Sequence, residues 1–247
     1  MNPAIALHDL TVAYRRHPAL HHISGRFERG TLTAVVGSNG AGKSTLLKSL
    51  LGLVRIDSGK IEINVARKRI AYLPQQAEID RSFPISVLDC VFLGYWQKLG
   101  VFGGISQAMA ARARDALLAV GLQGFEARAV GSLSAGQFQR VLFARILVQD
   151  AELILLDEPF NAVDAKTTED LLAIIHAWHA QQRTVIAVLH DHEQVRRHFP
   201  QALLLARRLV AWGDTAQVLT ESHLHQAKHM PEAPDPHAAP CQAKEAA

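Results

Sequence analysis

The chain has 247 residues, of which 49% are hydrophobic and 20% are charged, and its formal net charge is +3. This composition is typical of an ordinary soluble globular protein, and the length is enough to bury a substantial core. The mild positive charge is spread along the chain and does not predict a nucleic-acid-binding surface. No run approaches the about 20 apolar residues of a membrane-spanning helix, and the N-terminus lacks a signal-peptide pattern. The distant cysteines, Cys90 and Cys241, indicate a reducing compartment rather than a disulfide framework.

The first third of the chain predicts strands around one helix. Apolar residues alternate between Ile5 and Tyr14, which predicts short strands within residues 1–30. The apolar run Leu32–Val36 predicts a further strand, and the leucine-rich segment after Lys43 predicts a helix. Two more strands are predicted at residues 60–63 and 69–73.

The remaining two thirds predict helices first and then alternating strands and helices. The helices are expected at residues 86–98 and 107–120, with another ending at Val148 after a turn at 131–136. Three apolar segments, residues 152–156, 184–190 and 203–205, predict strands, and residues 166–180 predict a helix between the first two. This βαβ order indicates a parallel sheet, and the near-continuous apolar runs indicate central strands that are covered on both faces.

The segment Val36–Thr45 reads VGSNGAGKST and joins a predicted strand to a predicted helix. In that context it is typical of a phosphate-binding loop, because glycines let successive N–H groups point into one concavity and the helix start adds a positive dipole end. Lys43 is predicted to neutralise the β- and γ-phosphates of a nucleotide, and the Ser44 hydroxyl to ligate Mg²⁺. The alternative, a glycine turn with an exposed lysine, fits this context poorly. The predicted phosphate-binding residues are Gly37, Ser38, Asn39, Gly40, Ala41, Gly42, Lys43, Ser44 and Thr45.

Two adjacent carboxylates, Asp157 and Glu158, follow the apolar run Leu153–Leu156. At the carboxyl end of a buried strand, Asp157 is predicted to hold Mg²⁺ directly or through water. Glu158 is predicted to polarise the water that attacks the γ-phosphate. The pair alone also fits a solvated turn. The presence of a phosphate-binding loop in the same chain favours the Mg²⁺ and water roles over that alternative.

The segment Leu133–Arg140, LSAGQFQR, places small residues at the start of a helix. On the local pattern alone, Ser134 is an ordinary N-cap, although free amides and a hydroxyl there can also meet phosphate. A phosphate loop, LSAGQ and LILLDEP in that order resemble the ATPase subunit of ATP-binding cassette (ABC) transporters, over about residues 5–220. LSAGQ resembles the signature loop of that family, so the resemblance implies ATP contacts from Ser134, Ala135, Gly136 and Gln137.

The resemblance implies further roles residue by residue. Tyr14 resembles the aromatic residue that stacks on adenine, although it also fits a sheet tyrosine. Gln75 resembles the glutamine that touches Mg²⁺ and the attacking water; Gln76 beside it leaves that assignment slightly ambiguous. Asp164 resembles the acid of the loop that crosses to the other protomer, and His190 resembles the switch histidine that bonds the γ-phosphate. The expected catalytic residues are Glu158, His190 and Gln75, and the expected Mg²⁺ ligands are Ser44, Gln75 and Asp157.

The fold that the resemblance implies is α/β: a P-loop NTPase core with a mainly parallel sheet, an N-terminal antiparallel β subdomain and an inserted helical subdomain. The core is expected at residues 1–84 and 131–221, and the helical subdomain at 85–130 with the signature loop at its end. Residues 222–247 are expected to form a flexible, histidine-containing tail. Two residues depart from the family pattern: Ala135 replaces the usual glycine, and Leu189 precedes His190 where a hydroxyl residue is common.

The chain carries one phosphate loop and one signature loop, and the family builds each site from the former of one copy and the latter of another. The resemblance therefore implies a homodimer that closes on two ATP molecules and reopens on hydrolysis. It also implies polytopic membrane permease subunits as partners, a periplasmic or extracellular metal-binding protein as an indirect partner, and a peripheral location on the cytoplasmic face of the membrane. Phe83, Tyr95, Trp96 and Phe102 are candidates for the permease-binding groove or for the core of the helical subdomain.

The segments PQQAEIDRSFPISVLDCVFLG and LLDEPFNAVD resemble the subgroup that powers zinc and manganese uptake. The predicted function is therefore the ATP-hydrolysing subunit of a metal-ion importer, with an importer of another substrate, such as manganese or iron, as the alternative. Zinc is modestly favoured over manganese, because the C-terminal tail carries histidines and a cysteine, which are ligands that Zn²⁺ prefers. The alternative is that these residues occur by chance, as they do in many polar tails. These are His223, His225, His229, His237 and Cys241.

Two other classes remain as weaker alternatives. A non-transport ABC-type ATPase that acts on nucleic acid usually has two cassettes or a coiled-coil insertion, and neither is visible, so no nucleic-acid partner is expected. A P-loop kinase would need neither LSAGQ nor a glutamate directly after the Mg²⁺ aspartate.

Overall fold

The structure is a computed structural model that describes residues 2–14, 17–75, 79–99, 103–161 and 163–229. It divides into two compact units, one drawn from residues 1–64 and 188–247 and the other from residues 65–187. The first unit contains the predicted phosphate-binding loop. The second contains the adjacent carboxylates and the LSAGQ segment.

An antiparallel three-stranded sheet lies in the first unit, in the order β2-β1-β4. Its strands are β1 (Ile5–Tyr14), β2 (His17–Phe27) and β4 (Ser58–Ile63). Ile5 pairs with Phe27 on one side and with Ile63 on the other, and Ile5 and Ile63 lie on the apolar patterns that predicted their strands. The strands β1 and β2 have 10 and 11 residues, so the prediction of short strands was wrong in length.

The first unit also contains a parallel strand pair beside the predicted phosphate-binding loop. β3 (Leu32–Val36) pairs in parallel with β8 (Gln201–Ala206), and β8 pairs antiparallel with β9 (Arg208–Asp214). All five residues of β3 are buried, which explains the uninterrupted apolar run. β9 was not predicted from the sequence. The helices of this unit are α1 (Lys43–Leu50), α7 (His192–His198), α8 (Thr215–Val218) and α9 (Glu221–His229).

Three strands of the second unit lie in the order β5-β6-β7. They are β5 (Ile70–Leu73), β6 (Leu153–Asp157) and β7 (Thr184–Val188), and α6 (Ala165–Ala180) connects β6 to β7. β5 and β6 run parallel, and every residue of β6 and β7 is buried. The prediction of covered central strands joined by a helix is therefore confirmed.

The helices of the second unit pack around α5 (Ala135–Gln149), the helix that begins within LSAGQ. α2 (Val87–Phe92) and α4 (Gln107–Ala119) both pack against α5. A short 3₁₀ turn joins α2 to α3 (Trp96–Leu99). Serine side chains accept backbone N–H bonds at the N-termini of α2, α4 and α5, which satisfies donors that a helix start leaves open.

The four aromatic candidates for a permease-binding groove do not share one environment. Phe83 is 65% exposed and Trp96 is 71% exposed. Tyr95 is buried, and its hydroxyl donates a hydrogen bond to the Met109 carbonyl at 3.0 Å. Tyr95 therefore belongs to the core of this unit and cannot line an open groove, while Phe102 lies outside the described residues.

The predicted fold class is confirmed: the protein is α/β, with mostly parallel strands in one part and a separate antiparallel sheet in another. The predicted domain boundaries remain a prediction. The expected tail begins inside α9, and its residues after 229 lie outside the described part. Across the ranges that the structure describes, no helix combines the length and apolarity needed to cross a membrane.

Candidate nucleotide-binding site

Residues 37–42, hereafter the phosphate loop, connect β3 to α1. A Cβ atom at Gly37 would collide with the Leu205 carbonyl oxygen, and one at Gly42 would collide with that of Ala19. Gly42 also has a positive φ of 95°, a conformation that favours glycine. On the other side of the loop, the Ala41 carbonyl accepts a bond from Arg207 N at 2.9 Å. Neighbouring backbone thus requires glycine at these positions and holds the loop in a tight curve.

Lys43 folds back over the phosphate loop from the first turn of α1. Its ammonium Nζ donates to the carbonyls of Gly37 and Ser38 at 2.9 and 2.8 Å, and the residue is only 6% exposed. Ser44 and Thr45 follow it and are half-buried. The first turn of α1 contains no acidic residue, so no carboxylate of that turn opposes the positive end of the helix dipole. The arrangement concentrates positive charge at the loop.

Tyr14 lies at the end of β1 in the same unit, and its side chain is 49% exposed. The residue before it is fixed: Ala13 N donates to Asp57 Oδ2 at 2.6 Å, and Asp57 N donates to the Thr11 carbonyl at 3.0 Å. A ring on an anchored strand end with about half of its surface exposed can stack on a flat ligand. The sheet-tyrosine alternative also fits this position, so the role of Tyr14 stays a prediction.

His190 also belongs to the first unit. It is exposed and follows β7 by two residues. The residue before it is anchored to the strand that leads into the phosphate loop, because Leu189 N donates to the Val35 carbonyl at 3.1 Å. The predicted strand 184–190 is therefore two residues shorter than expected, and His190 stands beyond its end on a fixed backbone.

Residues 157–161, hereafter the Glu158 turn, follow β6 in the second unit. Asp157 is fully buried at the end of the strand. Glu158 has a positive φ of 51°, an uncommon conformation for a residue with a side chain. Its carboxylate Oε2 accepts a bond from Gln75 Nε2 at 2.8 Å and a longer one from Asn161 Nδ2 at 3.4 Å. The structure thus brings together Gln75 and Glu158, which are 83 residues apart in the sequence.

The LSAGQ segment forms a complete capping box at the start of α5. Ser134 Oγ accepts from Gln137 N at 3.2 Å, and Gln137 Oε1 accepts from Ser134 N at 3.0 Å. Such reciprocal bonds satisfy two donors at the helix start. Ser134 is exposed, whereas Ala135 and Gly136 are half-buried. The local N-cap interpretation is therefore confirmed, and the exposed serine remains accessible at the helix start.

Asp164 caps the next helix of the second unit, α6. Its Oδ1 accepts from Thr167 N at 2.8 Å, and its Oδ2 accepts from Thr167 Oγ1 at 2.9 Å. The backbone bond from Thr167, followed by the bond from its hydroxyl, holds the pKa of the Asp164 carboxyl below its ordinary value. Asp164 is therefore ionised at neutral pH, with its orientation set by α6.

Sequence reasoning did not single out three side chains that contact residues close to the predicted site residues in the second unit. Gln139 donates to the Pro159 carbonyl in the Glu158 turn, and Arg140 donates to Thr167 Oγ1 at 2.6 Å. Arg81 donates to the Leu133 carbonyl, which precedes Ser134, and its guanidinium lies over the Phe138 ring. Gln139 and Arg140 stand inside LSAGQFQR, but only the folded chain shows what they contact.

A glycine phosphate loop that ends in a buried lysine, on a mostly parallel sheet, defines a P-loop NTPase. A second unit with a capped LSAGQ helix and an aspartate–glutamate pair after a buried strand narrows the class to ABC-type ATPases. The chain belongs to the ABC transporter family, which it matches over residues 20–161. It is an ABC transporter ATPase domain.

Similar proteins align with most of the chain, beyond the residues that match the family. The zinc transport system ATP-binding protein TroB of Treponema pallidum is 39% identical over 229 residues, covering 91% of this chain and 86% of that protein. The manganese transport system ATP-binding protein MntB of Listeria monocytogenes is 38% identical over 223 residues, covering 88% and 93%. A metal-chelate type ABC transporter in an inward-facing conformation superposes with a TM-score of 0.82 at 32% identity, covering 93% of this chain and 90% of that chain.

Proposed function

We propose that the protein is the ATP-hydrolysing subunit of a metal-ion importer, with zinc favoured over manganese. The observation that carries the proposal is the similarity at 38–39% identity, over about nine tenths of the chain, to ATP-binding proteins of zinc and of manganese transport systems. These two identities are too close to separate the metals. The preference for zinc rests on four histidines after residue 222: His223, His225 and His229 belong to α9, and His237 lies outside the described residues.

In this proposal the phosphate loop and the start of α1 bind the phosphates of ATP. The curved loop presents backbone N–H groups, and Lys43 can exchange its two carbonyl bonds for bonds to phosphate oxygens. Ser38, Asn39 and Thr45 belong to the same phosphate cradle, and Tyr14 stacks on the adenine ring. The 49% exposure of Tyr14 supports that role.

The residues proposed for Mg²⁺ fit that ion. They are a fully buried carboxylate at a strand end, Asp157, the half-buried Ser44 hydroxyl, and the Gln75 side chain, and oxygen donors are what Mg²⁺ prefers. When bound, Mg²⁺ neutralises charge that develops on the phosphate oxygens. Asp157 and Ser44 would hold the ion, and Gln75 would contact it through its amide oxygen.

Hydrolysis is assigned to Glu158 as the general base for the attacking water. Its carboxylate accepts N–H bonds from Gln75 and Asn161, and these bonds fix the orientation of the oxygen that would take the proton from the water. Gln75 orients that carboxylate and the water. His190, exposed beyond β7, is proposed to donate a hydrogen bond to the γ-phosphate.

The working form is proposed to be a homodimer that closes on ATP. Each chain has one phosphate loop and one LSAGQ segment, so two copies related by two-fold symmetry would complete two sites. The exposed Ser134, with Ala135, Gly136 and Gln137, would meet the ATP of the other copy, and Asp164 would lie in the crossing loop. ATP then stabilises the closed dimer through contacts that the open state lacks, and hydrolysis removes them.

The partners are proposed to be polytopic permease subunits, which hold this chain at the cytoplasmic face of the membrane, and indirectly a metal-binding protein on the other side. The exposed rings of Phe83 and Trp96 support a hydrophobic contact on the second unit. Tyr95 is excluded from that contact because it is buried.

The test is to purify the chain with the membrane subunits that accompany it and to reconstitute the complex in vesicles. ATP-dependent uptake of zinc, with manganese and iron compared under the same conditions, is the expected result. Uptake of manganese alone would overturn the metal preference but keep the importer. ATP hydrolysis without transport of any metal ion would overturn the importer function.

A further inference from the structure

Gln139 is a buried amide that connects α5 to the Glu158 turn. It is 1% exposed, and its Nε2 donates to the Pro159 carbonyl at 2.7 Å, across 20 residues of sequence. Its Oε1 is buried and has no hydrogen-bond partner among the residues that the structure describes. A buried amide is costly unless it is bonded, so the donor bond to Pro159 is the contact that explains a glutamine here.

The carbonyl that Gln139 holds belongs to the residue directly after Glu158. The Glu158 backbone has a φ of 51°, and the ring of Pro159 fixes the next φ. Asn161 N donates to the Glu158 carbonyl at 3.2 Å and closes the bend. The direction of the Glu158 side chain toward Gln75 therefore depends on a strained backbone that is anchored at Pro159 by a side chain from another element.

Arg140, the next residue of α5, bonds a residue in the first turn of α6. Arg140 donates to Thr167 Oγ1 at 2.6 Å, and this hydroxyl donates to Asp164 Oδ2 at 2.9 Å. Consecutive residues of α5 are thus bonded to Pro159, which follows Glu158, and to Thr167, whose hydroxyl bonds Asp164. A shift of α5 along its axis would therefore act on Pro159 and on Thr167 together.

We infer that Gln139 is a positioning residue for hydrolysis: its bond to Pro159 sets the Glu158 turn and ties the carboxylate to the helix that begins at LSAGQ. The inference rests on the proposed role of Glu158 as the general base. It also gives a connection, within one copy of the chain, between the start of α5 and Glu158. A change at the start of α5, where the ATP of the other copy is proposed to bind, reaches Glu158 through Gln139.

The first test is Gln139→Met, which keeps the length of the side chain but removes the donor. The rate constant kcat of Mg²⁺-ATP hydrolysis is expected to fall by about 10- to 100-fold, the scale of a small misplacement of a catalytic group. The KM for ATP is expected to stay within about twofold of the original, because the phosphate loop is untouched. Gln149→Met, the same change at the end of the same helix, is the matched control and should leave both constants unchanged.

The second test is Gln139→Glu, read as a pH profile. Burial raises the pKa of the introduced carboxyl, so at low pH its O–H can donate to the Pro159 carbonyl, while at high pH its carboxylate repels that carbonyl. The hydrolysis rate of this variant, divided by that of the unsubstituted protein, is expected to rise as the pH is lowered from about 8.5 to about 6. Thermal unfolding of the variant over the same pH range is the control, because with a packing role alone the ratio would only follow the folded fraction. Because this readout is the change of that ratio with pH, it stands even if Gln139→Met fails to fold.

The outcomes separate this inference from the proposed function. If Glu158→Gln abolishes hydrolysis but Gln139→Met matches the Gln149→Met control, or the Gln139→Glu ratio is flat or only follows the folded fraction, the positioning role of Gln139 is overturned. If Glu158→Gln hydrolyses ATP at the original rate, the proposed base is overturned, whatever Gln139 does.

Discussion

The phosphate loop and the Glu158 turn are both bends that follow a buried strand, but different contacts hold them. Glycine conformations and the Lys43 ammonium shape the phosphate loop, and Lys43 bonds carbonyls only five and six residues away. The Glu158 turn depends on Gln75 and Gln139, which lie 83 and 20 residues from their partners. The lysine contacts of the phosphate loop are therefore local, whereas the side-chain contacts of the Glu158 turn come from distant segments. Substitutions should separate nucleotide binding from hydrolysis.

The largest effect is expected from Glu158→Gln. Hydrolysis should fall by at least about 100-fold, because the base is lost, while ATP binding remains and an ATP-loaded dimer accumulates. Phosphate release and gel filtration with Mg²⁺-ATP measure these two results. Glu169→Gln, an exposed carboxylate on α6, is the control. A variant that stays monomeric and turns over at the original rate would contradict the role of Glu158.

Lys43→Ala tests the phosphate loop and its proposed role in nucleotide binding. The affinity for ATP is expected to fall by about 100-fold or more, because charge-assisted bonds to phosphate are lost. Titration with a fluorescent ATP analogue measures the dissociation constant. Lys48→Ala, in the last turn of the same helix, should bind ATP normally. Undiminished binding by Lys43→Ala would refute the phosphate-loop assignment.

Tyr14→Ala should weaken ATP binding by about 10-fold, since stacking of a base on an aromatic ring has roughly that value. The KM should rise while kcat stays constant, and steady-state kinetics measure both. Tyr14→Phe keeps the ring and should behave like the original protein. If the alanine variant has an unchanged KM, Tyr14 is only a sheet residue.

The smallest effect is expected from Thr167→Val, which removes the hydroxyl bond to Asp164. The Thr167 bonds lower the pKa of Asp164 in the folded protein, so they stabilise it above the unfolded pKa, and this stabilisation disappears as the pH falls through the folded pKa. The melting temperature should therefore drop at neutral pH, and the difference should shrink at acidic pH. Thermal unfolding measured from neutral pH to about pH 3 tests this.

Thr168→Val is the matched control for that experiment. Its hydroxyl bonds the Asp164 carbonyl rather than the carboxylate, so the effect on the melting temperature should not change with pH. Equal pH dependence in both variants would show that Asp164 is not the titrating group.

Much of the fold could be predicted because long apolar runs have few alternatives. The segments that became β3, β6 and β7 are buried at every position, and continuous hydrophobicity is a direct sign of that burial. β9 was missed because its residues are only partly buried, which leaves a weak pattern. Tyr95 and Trp96 show the same limit. They are adjacent aromatic residues with no difference in the local sequence pattern, but Tyr95 is buried and Trp96 is 71% exposed.

The amino-acid sequence by itself indicated the phosphate loop, the carboxylate pair and the capped LSAGQ helix, because each has a pattern of residues that are close neighbours along the chain. Only the tertiary structure decided what Gln75, Gln139 and Arg140 contact, since those partners come from distant segments. The physical reason is the distance along the chain over which each interaction acts. Backbone sterics and helix capping act over a few residues, whereas a buried side chain finds its hydrogen-bond partner only when the elements around it have packed.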